Sequence, residues 1–255
     1  MEQSTAGPVV APHPALPRYY DADALGAGKR GFVRRIFNQT AGDYDRVERL
    51  MALGSGSWYR RQALRRAGLS RGMRVLDIAM GTGLVAREEI QITGDARLVL
   101  GVDPSGGMIA QARRVLPIQA VLGVAEELPL ADAQFDFLSM GYALRHLSDL
   151  SVTFREFFRV LRPGGRVCVL EITRPRSKLR RAAMKAYMRF VVPAITRLTA
   201  RHAASQLLWQ YYWDTIEACV PAETVTAALS AAGFDGVSHH CELGLFSEYV
   251  ARKPK

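Results

Sequence analysis

The chain has 255 residues, of which 49% are hydrophobic and 23% charged, and its formal net charge at pH 7 is +10. The composition is ordinary for a globular protein, and the length lies near the upper limit for one hydrophobic core. Its apolar runs are far shorter than the roughly 18 residues of a membrane-spanning helix, and prolines stand where a secretory signal would be apolar. We therefore expect a cytoplasmic protein. The three cysteines, an odd number without metal-ligand spacing, favour neither disulfides nor zinc.

The N-terminal part of the sequence changes character near residue 29. Residues 1–17 are rich in Pro, Ala, Ser and Gly and show no apolar period, so we expect residues 1–28 to be disordered or loosely attached. Two stretches with helical apolar spacing follow, one at Phe32, Ile36 and Phe37 and the other at Val47, Leu50 and Met51. A polar stretch at 38–45 separates them. Because both precede the first strand, we expect residues 29–70 to form a helical cap over the ligand end of the sheet.

Strand and helix patterns alternate from residue 73 onward. They predict strands at 73–79, 97–102, 118–122, 135–140 and 166–172, and helices at 83–90, 105–114 and 151–161. This alternation predicts an α/β fold with a mostly parallel sheet and a ligand site at the carboxyl ends of the strands. A predicted helix, Pro221 to Ala232, and two strands, Gly236 to Cys241 and Leu245 to Ala251, close the chain.

The turn after the first strand is the most informative feature of the sequence. It runs through Ala79-Met80-Gly81-Thr82-Gly83, and the second strand ends in Asp103. Small residues let the backbone approach a ligand closely, and an acid at the end of the next strand can hold the hydroxyls of a ribose. No Gly-Lys-Ser/Thr follows, and the third glycine of a dinucleotide fingerprint is missing. The pattern favours S-adenosylmethionine, which has a ribose but no pyrophosphate.

Further motifs extend this interpretation. They are Ala125-Glu126-Glu127-Leu128-Pro129, Leu144-Arg145, and Arg159-Val160-Leu161-Arg162-Pro163-Gly164-Gly165 through Leu170-Glu171. With the first turn, they resemble the class I methyltransferases, and specifically the menaquinone/ubiquinone biosynthesis C-methyltransferase (UbiE-like) family, over about 32–249. The resemblance implies one methyltransferase domain at 29–255 that binds S-adenosyl-L-methionine. It also implies a Rossmann-like, mostly parallel seven-stranded sheet with helices on both faces, an N-terminal helical cap and a helical lid at 173–217.

The resemblance also implies which residues bind the cofactor. We expect these to be Asp77, Ala79, Gly81, Thr82, Gly83, Asp103, Pro104, Met108, Val124, Ala125 and Gly141. Val124 departs from the family, which usually has Asp or Asn there to bind the adenine amino group, so that contact must come from elsewhere. Gly56 replaces the family's His, and Trp58 is displaced by one position from its Trp. Such departures leave open a branch that acts on another acceptor.

Three residues are candidates for activating the acceptor. Carbon methylation of a phenol requires the ring to be activated as phenolate, and therefore a proton acceptor near the hydroxyl. Tyr44 matches the tyrosine of a Tyr-Asp pair in the family, and Arg145 matches the arginine of its Leu-Arg-Asn, which is implicated in acceptor activation. An arginine is not an ordinary base at neutral pH, but it can stabilise a phenolate. His146 replaces the family's Asn and could accept a proton directly, with a structural histidine as the alternative.

The positive charge of the chain is concentrated in the predicted lid. Between residues 172 and 213 there are nine Lys or Arg and no Asp or Glu. Lys178, Arg181, Lys185 and Arg189 recur at helical spacing beside an apolar side. A basic amphipathic helix suits an anionic membrane surface, which would give a peripheral position at the inner face of the membrane. A solvated face is the alternative. Nucleic acid is not favoured, because no base-flipping motif or RNA-binding module is present.

The lid is also rich in aromatic residues, which indicate the acceptor. They include Tyr187, Phe190, Trp209, Tyr211, Tyr212 and Trp213. As a group they predict a hydrophobic small-molecule acceptor held away from water, although core packing explains any single one. We therefore expect C-methylation of a hydrophobic aromatic or quinone-type acceptor. The alternatives are a phospholipid N-methyltransferase, a secondary-metabolite O-, N- or C-methyltransferase, and a non-catalytic cofactor-binding partner.

Overall fold

A computed structural model describes residues 9–14, 16–20, 28–51, 55–199 and 204–255. The described strands are β1 Val75–Ile78, β2 Val99–Asp103, β3 Gln119–Leu122, β4 Phe135–Gly141, β5 Leu161–Ile172, β6 Asp235–Glu242 and β7 Phe246–Arg252. The described α-helices are α1 Pro17–Tyr20, α2 Gly28–Met51, α3 Gly56–Arg66, α4 Leu84–Thr93, α5 Gly106–Val115, α6 Leu150–Val160, α7 Lys178–Ala186, α8 Val192–Thr199, α9 Ala204–Ala218 and α10 Ala222–Ala231. Short 3₁₀ turns lie at Ala96–Leu98 and Leu144–His146, and a π-helical turn lies at Tyr187–Val191.

The strands form one seven-stranded sheet in the order β3-β2-β1-β4-β5-β7-β6. β7 runs antiparallel to both of its neighbours, whereas the pairings from β3 to β5 are parallel. The sequence prediction of an α/β, mostly parallel, Rossmann-like sheet closed by an antiparallel hairpin is confirmed. A parallel sheet of this kind opens its ligand site at the carboxyl ends of the strands, so the site lies beside the ends of β1, β2 and β4.

Helices cover both faces of the sheet because its central strands are apolar on both sides. In β1, Leu76 and Ile78 pack in a core with residues of α6 and α10 such as Phe157 and Leu229. Val75 points to the other face, where a second core includes Leu64 of α3 and residues of α4 and α5. Alternate residues of one strand therefore serve different cores, as the period of two in a strand requires.

The predicted cap contains α2 and α3, and both apolar stretches that the sequence pattern separated, at 32–37 and 47–51, lie in α2. α2 is continuous over 24 residues, so the polar stretch at 38–45 does not interrupt it. Inside the helix, the hydroxyl of Thr40 donates to the carbonyl of Ile36 at 2.7 Å, which keeps its polar group satisfied. The predicted separation at 38–45 is wrong because polar side chains of this stretch bond to other elements without interrupting the helix: Asn38 to Ser105 and Gly107, and Asp45 to Thr82.

Part of the N-terminal segment is packed, which corrects the expectation of loose attachment through residue 28. The amide of Val10 donates to a carboxylate oxygen of Asp149 at 3.2 Å, and the amide of Leu150 donates to the carbonyl of Val10 at 2.9 Å. Tyr19 in α1 is 5% exposed and packs against Phe32. Residues 9–14 and 16–20 are thus held by hydrogen bonds and burial, and the rest of 1–27 lies outside the described residues.

β5 is longer than the predicted strand at 166–172. Leu161 pairs with Phe135 and Arg166 with Phe137, so the register shifts across the intervening Pro-Gly-Gly segment. A bulge can take up extra residues in this way without ending the strand. The remaining predicted strands and helices correspond to elements of the structure.

The predicted lid contains α7, the π-helical turn, α8 and α9. Apolar residues of α8 and α9 form a third core with the cap, which includes Ile36, Val47, Val192 and Leu208. Among the described residues, no helix combines the length and the apolar character needed to cross a membrane.

Candidate active site

A cavity of about 760 Å³ lies at the carboxyl ends of β1, β2 and β4, beneath the cap helix α2. We call it the main cavity. Eight of the predicted cofactor residues line it, namely Ala79, Gly81, Thr82, Asp103, Pro104, Val124, Ala125 and Gly141. The structure therefore brings together the turn after β1, the end of β2 and the end of β4, as expected for one rim of the sheet.

Three residues of the predicted cofactor set do not line the main cavity. Asp77 is fully buried in β1, and Met108 is 2% exposed in α5. Gly83 is the N-cap residue of α4 in the left-handed conformation, with φ of 86°. In this structure the three residues therefore lie behind the residues that line the cavity. Their role in binding the cofactor stays a prediction.

The backbone of the turn after β1 brings main-chain atoms to the rim. Ala79 and Gly81 have positive φ, 53° and 56°, and a side chain at Gly81 would meet no atom within 4 Å. The glycine is therefore needed for its backbone conformation rather than for space. Its amide donates to the carboxylate of Asp103 at 2.8 Å. The end of β2 is thus fixed to the turn after β1.

The end of β4 approaches α4 closely. A Cβ atom at Gly141 would lie 2.5 Å from Cγ2 of Val85, which is closer than real side chains come. Val85 and Gly141 both line the main cavity. The first turn of α4 therefore packs directly on the backbone of β4 and forms one side of the cofactor rim.

Asp103 fits the role of a ribose ligand. Its oxygens accept from the amides of Gly81 and Ser105, both at 2.8 Å, which leaves further lone pairs for hydroxyl donors. Burial raises the pKa of its carboxyl to about 6, because the group is 5% exposed. At neutral pH it is mostly ionised, so it can accept the hydrogen bonds that a ribose offers.

We predict that Asp103→Ala weakens S-adenosylmethionine binding by about 1.5–3 kcal/mol, the size of a hydrogen bond to a charged group. Isothermal titration calorimetry measures the change. Asp235→Ala removes the same charge from an exposed ion pair with Arg252 and is the matched control. Equal affinity for both variants would show that the ribose does not bind at Asp103.

The cap is hydrogen-bonded to this rim. Thr82 donates its hydroxyl hydrogen to the carboxylate of Asp45. The side-chain oxygen of Asn38 accepts from Oγ of Ser105 at 2.7 Å and from the amide of Gly107 at 2.8 Å. Sequence reasoning did not single out Asn38 or Asp45. The signal that could have found them is a run of polar residues inside an otherwise amphipathic helix.

Val124 lines the main cavity where the resembling family has an adenine-binding acid or amide. Its carbonyl accepts from the amide of Glu127 at 3.2 Å in a tight turn. Glu126 and Glu127 line the same part of the cavity. A carboxylate is therefore available two or three residues beyond the expected position to accept a hydrogen bond from an amino group.

A buried pair of acids lies behind the rim. Oγ of Ser139 hydrogen-bonds to Asp77 at 3.2 Å and also to Glu89. A hydroxyl has one hydrogen to donate, so the second bond requires a proton on one of the carboxyls. Burial raises the pKa of Glu89 from 4.5 to about 7, and burial followed by repulsion from Glu89 raises the pKa of Asp77 as well.

Because of these raised pKa values, we predict that the free energy of unfolding falls as pH rises. The pKa of Glu89 in the folded state lies above its value in the unfolded state. Its contribution to stability is therefore present below about pH 4.5 and is lost by about pH 7. Between pH 4 and pH 8 the parent should lose up to about 3 kcal/mol more unfolding free energy than Glu89→Gln. Urea unfolding across this range tests it, with the exposed Glu223→Gln as control. Parallel curves for parent and Glu89→Gln would contradict the prediction.

The predicted catalytic residues come together at the main cavity. Tyr44 of α2 and Tyr212 of α9 line it, and their hydroxyl oxygens are 2.8 Å apart. The guanidinium carbon of Arg145 lies 4.3 Å from the centre of the Tyr212 ring. Tyr212 was predicted only as one of the lid aromatics. Its place beside Tyr44 depends on packing between elements 168 positions apart, which local sequence patterns do not reveal.

Arg145 lines neither cavity, and its role in activating the acceptor stays a prediction. Its side chain is fully buried and forms an ion pair with Glu171. It also donates from Nη1 to the carbonyl of Tyr142 at 3.0 Å. The positive charge of Arg145 therefore influences the cavity through the Tyr212 ring, whose π-electrons attract the cation.

His146 lines the main cavity beside this group. Its Nδ1 is 3.2 Å from the hydroxyl of Tyr211, whereas Nε2 has no hydrogen-bond partner among the described residues. Burial, followed by repulsion from Arg145, holds the pKa of His146 well below 6.5. The imidazole is therefore neutral at physiological pH. If Nδ1 carries the hydrogen and donates it to Tyr211, Nε2 can accept a proton.

The two tyrosines are hydrogen-bond donors rather than bases. Burial raises the pKa of Tyr44 well above its usual value, and the neighbouring Tyr212 adds to that shift. Burial also raises the pKa of Tyr212, against an opposing effect of Arg145. Both hydroxyls keep their hydrogens at neutral pH, so one can donate to the other and the second hydrogen is available to a ligand oxygen.

A second cavity of about 420 Å³ adjoins the main one. Tyr44, Glu48, Tyr142 and Tyr212 line both cavities and form the wall between them. The rest of its lining is largely aromatic and aliphatic and includes Trp58, Tyr59, Tyr187, Trp209, Leu245 and Phe246. The pair of cavities offers an extended apolar space next to the cofactor rim.

The sheet order, the glycine turn after β1 and the acid at the end of β2 define a class I S-adenosyl-L-methionine-dependent methyltransferase. The sequence model of the ubiE/COQ5 methyltransferase family matches residues 25–252. The chain belongs to that family, and S-adenosyl-L-methionine is its cofactor.

Similar proteins agree with this assignment. The ubiquinone/menaquinone biosynthesis C-methyltransferase UbiE of Cronobacter sakazakii is 31% identical over 219 residues, which cover 83% of this chain and 86% of that one. UbiE of Serratia proteamaculans is 32% identical over 218 residues, with the same coverage.

Solved structures share the fold. A possible histamine N-methyltransferase from Thermotoga maritima has a TM-score of 0.61 at 22% identity and covers 86% of this chain and 99% of its own. A phosphoethanolamine N-methyltransferase 2 from Haemonchus contortus, in complex with S-adenosyl-L-methionine, has a TM-score of 0.60 at 18% identity, covering 90% and 60%. At these identities the likeness concerns the fold alone.

Proposed function

We propose that the protein methylates a ring carbon of a hydrophobic, hydroxylated aromatic acceptor of the quinone type. The observation that carries the proposal is a group of side chains in the lining of the main cavity, which also contains eight of the predicted cofactor residues. Neutral His146 and the protonated pair Tyr44 and Tyr212 lie there together, beside an apolar second cavity. A lining of this kind suits an aromatic ring that carries a hydroxyl and an apolar substituent.

The residues of the chain have separate tasks in this reaction. S-adenosyl-L-methionine supplies an electrophilic methyl group at the rim. A ring carbon becomes nucleophilic when the adjacent hydroxyl loses its proton, and we assign Nε2 of His146, a buried atom without a hydrogen-bond partner among the described residues, to accept it. As negative charge develops on the acceptor oxygen, it offsets the repulsion from Arg145, so the imidazole becomes more basic during the transfer.

The tyrosine pair stabilises the charge that develops. A hydroxyl of Tyr44 or Tyr212 donates to the acceptor oxygen, and the guanidinium behind the Tyr212 ring adds a favourable electrostatic contribution. Because the groups are buried, their interaction is less screened than in water. The apolar walls hold the ring near the rim and exclude water from the site.

The relatives support carbon as the methylated atom. The UbiE proteins of Cronobacter sakazakii and Serratia proteamaculans are named as C-methyltransferases of ubiquinone and menaquinone biosynthesis, and their identity to this chain is 31–32%. The replacement of an acid or amide by Val124 concerns the predicted contact with adenine and leaves His146, Tyr44 and Tyr212 in place.

The test is a methyl-transfer assay with labelled S-adenosylmethionine and three classes of acceptor. These are a hydroquinone with an alkyl or prenyl chain, a hydroxylated aromatic without one, and phosphoethanolamine as the polar amine. We expect labelled methyl on a ring carbon of the hydroquinone, identified by NMR of the product. An ether or an N-methyl product would contradict the proposal, and so would cofactor binding without turnover on any acceptor.

A further inference from the structure

The surface of α7 and of the π-helical turn carries exposed apolar side chains. Leu179 is 79% exposed and Phe190 is 67% exposed. Together with Ala183 and Ala186 they recur at intervals of four, three and four residues, and all four are exposed. Residues at this spacing lie on one side of a helix. An apolar stripe therefore points away from the molecule, and no residue of α7 is buried.

Bases accompany this stripe. Lys178, Lys185 and Arg189 are exposed, and within the described part of the chain none of the three is ion-paired with a carboxylate. Arg181, which the sequence pattern grouped with them, instead pairs with Glu217 at 2.8 Å. Three of the four predicted bases thus remain available for an external partner.

The mouth of the second cavity lies beside the same helix. Nη1 of Arg180 donates to the carbonyl of Leu243 at 3.3 Å, which joins α7 to the tip of the hairpin β6–β7. Leu243 and Trp58 both line the second cavity and are 70% and 65% exposed, so the cavity reaches solvent where they lie. Met184 of α7 also lines it.

We propose that these residues form a docking surface for an anionic lipid bilayer. We call it the basic face and define it by Leu179, Phe190, Lys178, Lys185, Arg189 and Leu243. The bases are attracted to acidic head groups, while Phe190, Leu179 and Leu243 enter the boundary between head groups and acyl chains. A protein partner would need a matching acidic groove, whereas a bilayer meets spaced bases and a shallow apolar ridge without one.

This docking has a consequence that rests on the proposed function. With the basic face on the bilayer, the second cavity opens toward the acyl region instead of water. An apolar acceptor dissolved in the membrane can then enter without crossing the aqueous phase. The docking itself does not depend on which molecule is methylated.

The test uses co-sedimentation of the full chain with phosphatidylcholine vesicles that contain or lack 30% phosphatidylglycerol. Since each base near an anionic surface contributes separately, changing Lys178, Lys185 and Arg189 to Gln should weaken binding to anionic vesicles by roughly tenfold to a hundredfold. The matched control changes Arg71, Arg114 and Arg155 to Gln. These three arginines are exposed and lie outside the basic face, so the control variant loses the same charge. The control should bind as the parent does. Binding of the parent should also fall at high salt, since screening shortens the electrostatic range to about 3 Å at 1 M.

A second variant, Leu179→Ser with Phe190→Ser, tests the apolar part, and exposure of both residues makes it compatible with folding. Neither residue lines the main cavity or the second cavity, although the sequence pattern grouped Phe190 with the aromatics around the acceptor. The variant should therefore lose several-fold in vesicle affinity and keep its turnover on a water-soluble acceptor, which separates this proposal from the proposed function. Equal pull-down by anionic and neutral vesicles would overturn the proposal, as would parent-like binding of the Lys178, Lys185 and Arg189 variant. Self-association that the Ser variant abolishes, without vesicle binding, would overturn it in favour of an interface between copies.

Discussion

Glu171→Gln is expected to lower the free energy of unfolding by about 3–5 kcal/mol, because it leaves the buried guanidinium of Arg145 without its countercharge. Both side chains are almost completely buried, and Glu171 also accepts from the amide of Ile172 at 2.8 Å. Chemical denaturation measures the change. The double variant Arg145→Met with Glu171→Gln should recover much of the loss, since no unpaired charge remains.

An exposed ion pair provides the control for this experiment. Asp132, with its side chain 74% exposed, pairs with Arg159 at 2.7 Å. Asp132→Asn should change stability by no more than about 1 kcal/mol, the usual value of a surface pair. A loss as small for Glu171→Gln as for Asp132→Asn would contradict the role of the buried pair.

His146→Ala is expected to reduce kcat by about 10²–10⁴-fold, the range attributed to a positioned proton acceptor. Cofactor affinity should stay within a few fold, because His146 is not one of the predicted cofactor residues. For the parent, kcat should not fall on acidification until well below pH 6.5, since burial and Arg145 hold the pKa of His146 down. Single-turnover kinetics over a pH series, with cofactor binding measured separately, test both statements.

A second histidine separates this effect from a general one. His239 lies on β6 and hydrogen-bonds to Ser247 at 2.9 Å, away from both cavities. His239→Ala should leave kcat nearly unchanged. If His146→Ala also turns over at the parental rate, another group or a water accepts the proton.

The cofactor side of the site could be predicted because its signals are local. The turn Ala79 to Gly83 follows an apolar strand, and Asp103 ends the next one, so strand period and small residues suffice to locate both. Parallel topology then brings the strand ends to one rim. Asp77, Gly83 and Met108 do not line the cavity, because a motif identifies neighbours in sequence and does not distinguish a residue at the surface of a site from one behind it.

The acceptor side could be predicted only in part because it depends on packing between distant elements. Tyr44, Arg145 and His146 were found through a family resemblance, but the sequence does not show that Tyr212 comes between Arg145 and the cavity. The continuity of α2 was missed for the same reason. Its polar residues Asn38 and Asp45 bind the rim, and nothing in the helical period predicts those partners.

The contact between Gly141 and Val85 has a consequence for natural variation. Valine in a helix has essentially one rotamer, so Val85 cannot turn aside for a larger residue at 141. The two positions, 56 apart in the chain, must therefore change together: a relative with a side chain at 141 should carry alanine or glycine at 85. Such a compensated pair would shift volume from one side of the cofactor rim to the other. The same contact defines a route by which laboratory or natural evolution could reshape the site without altering its charged groups.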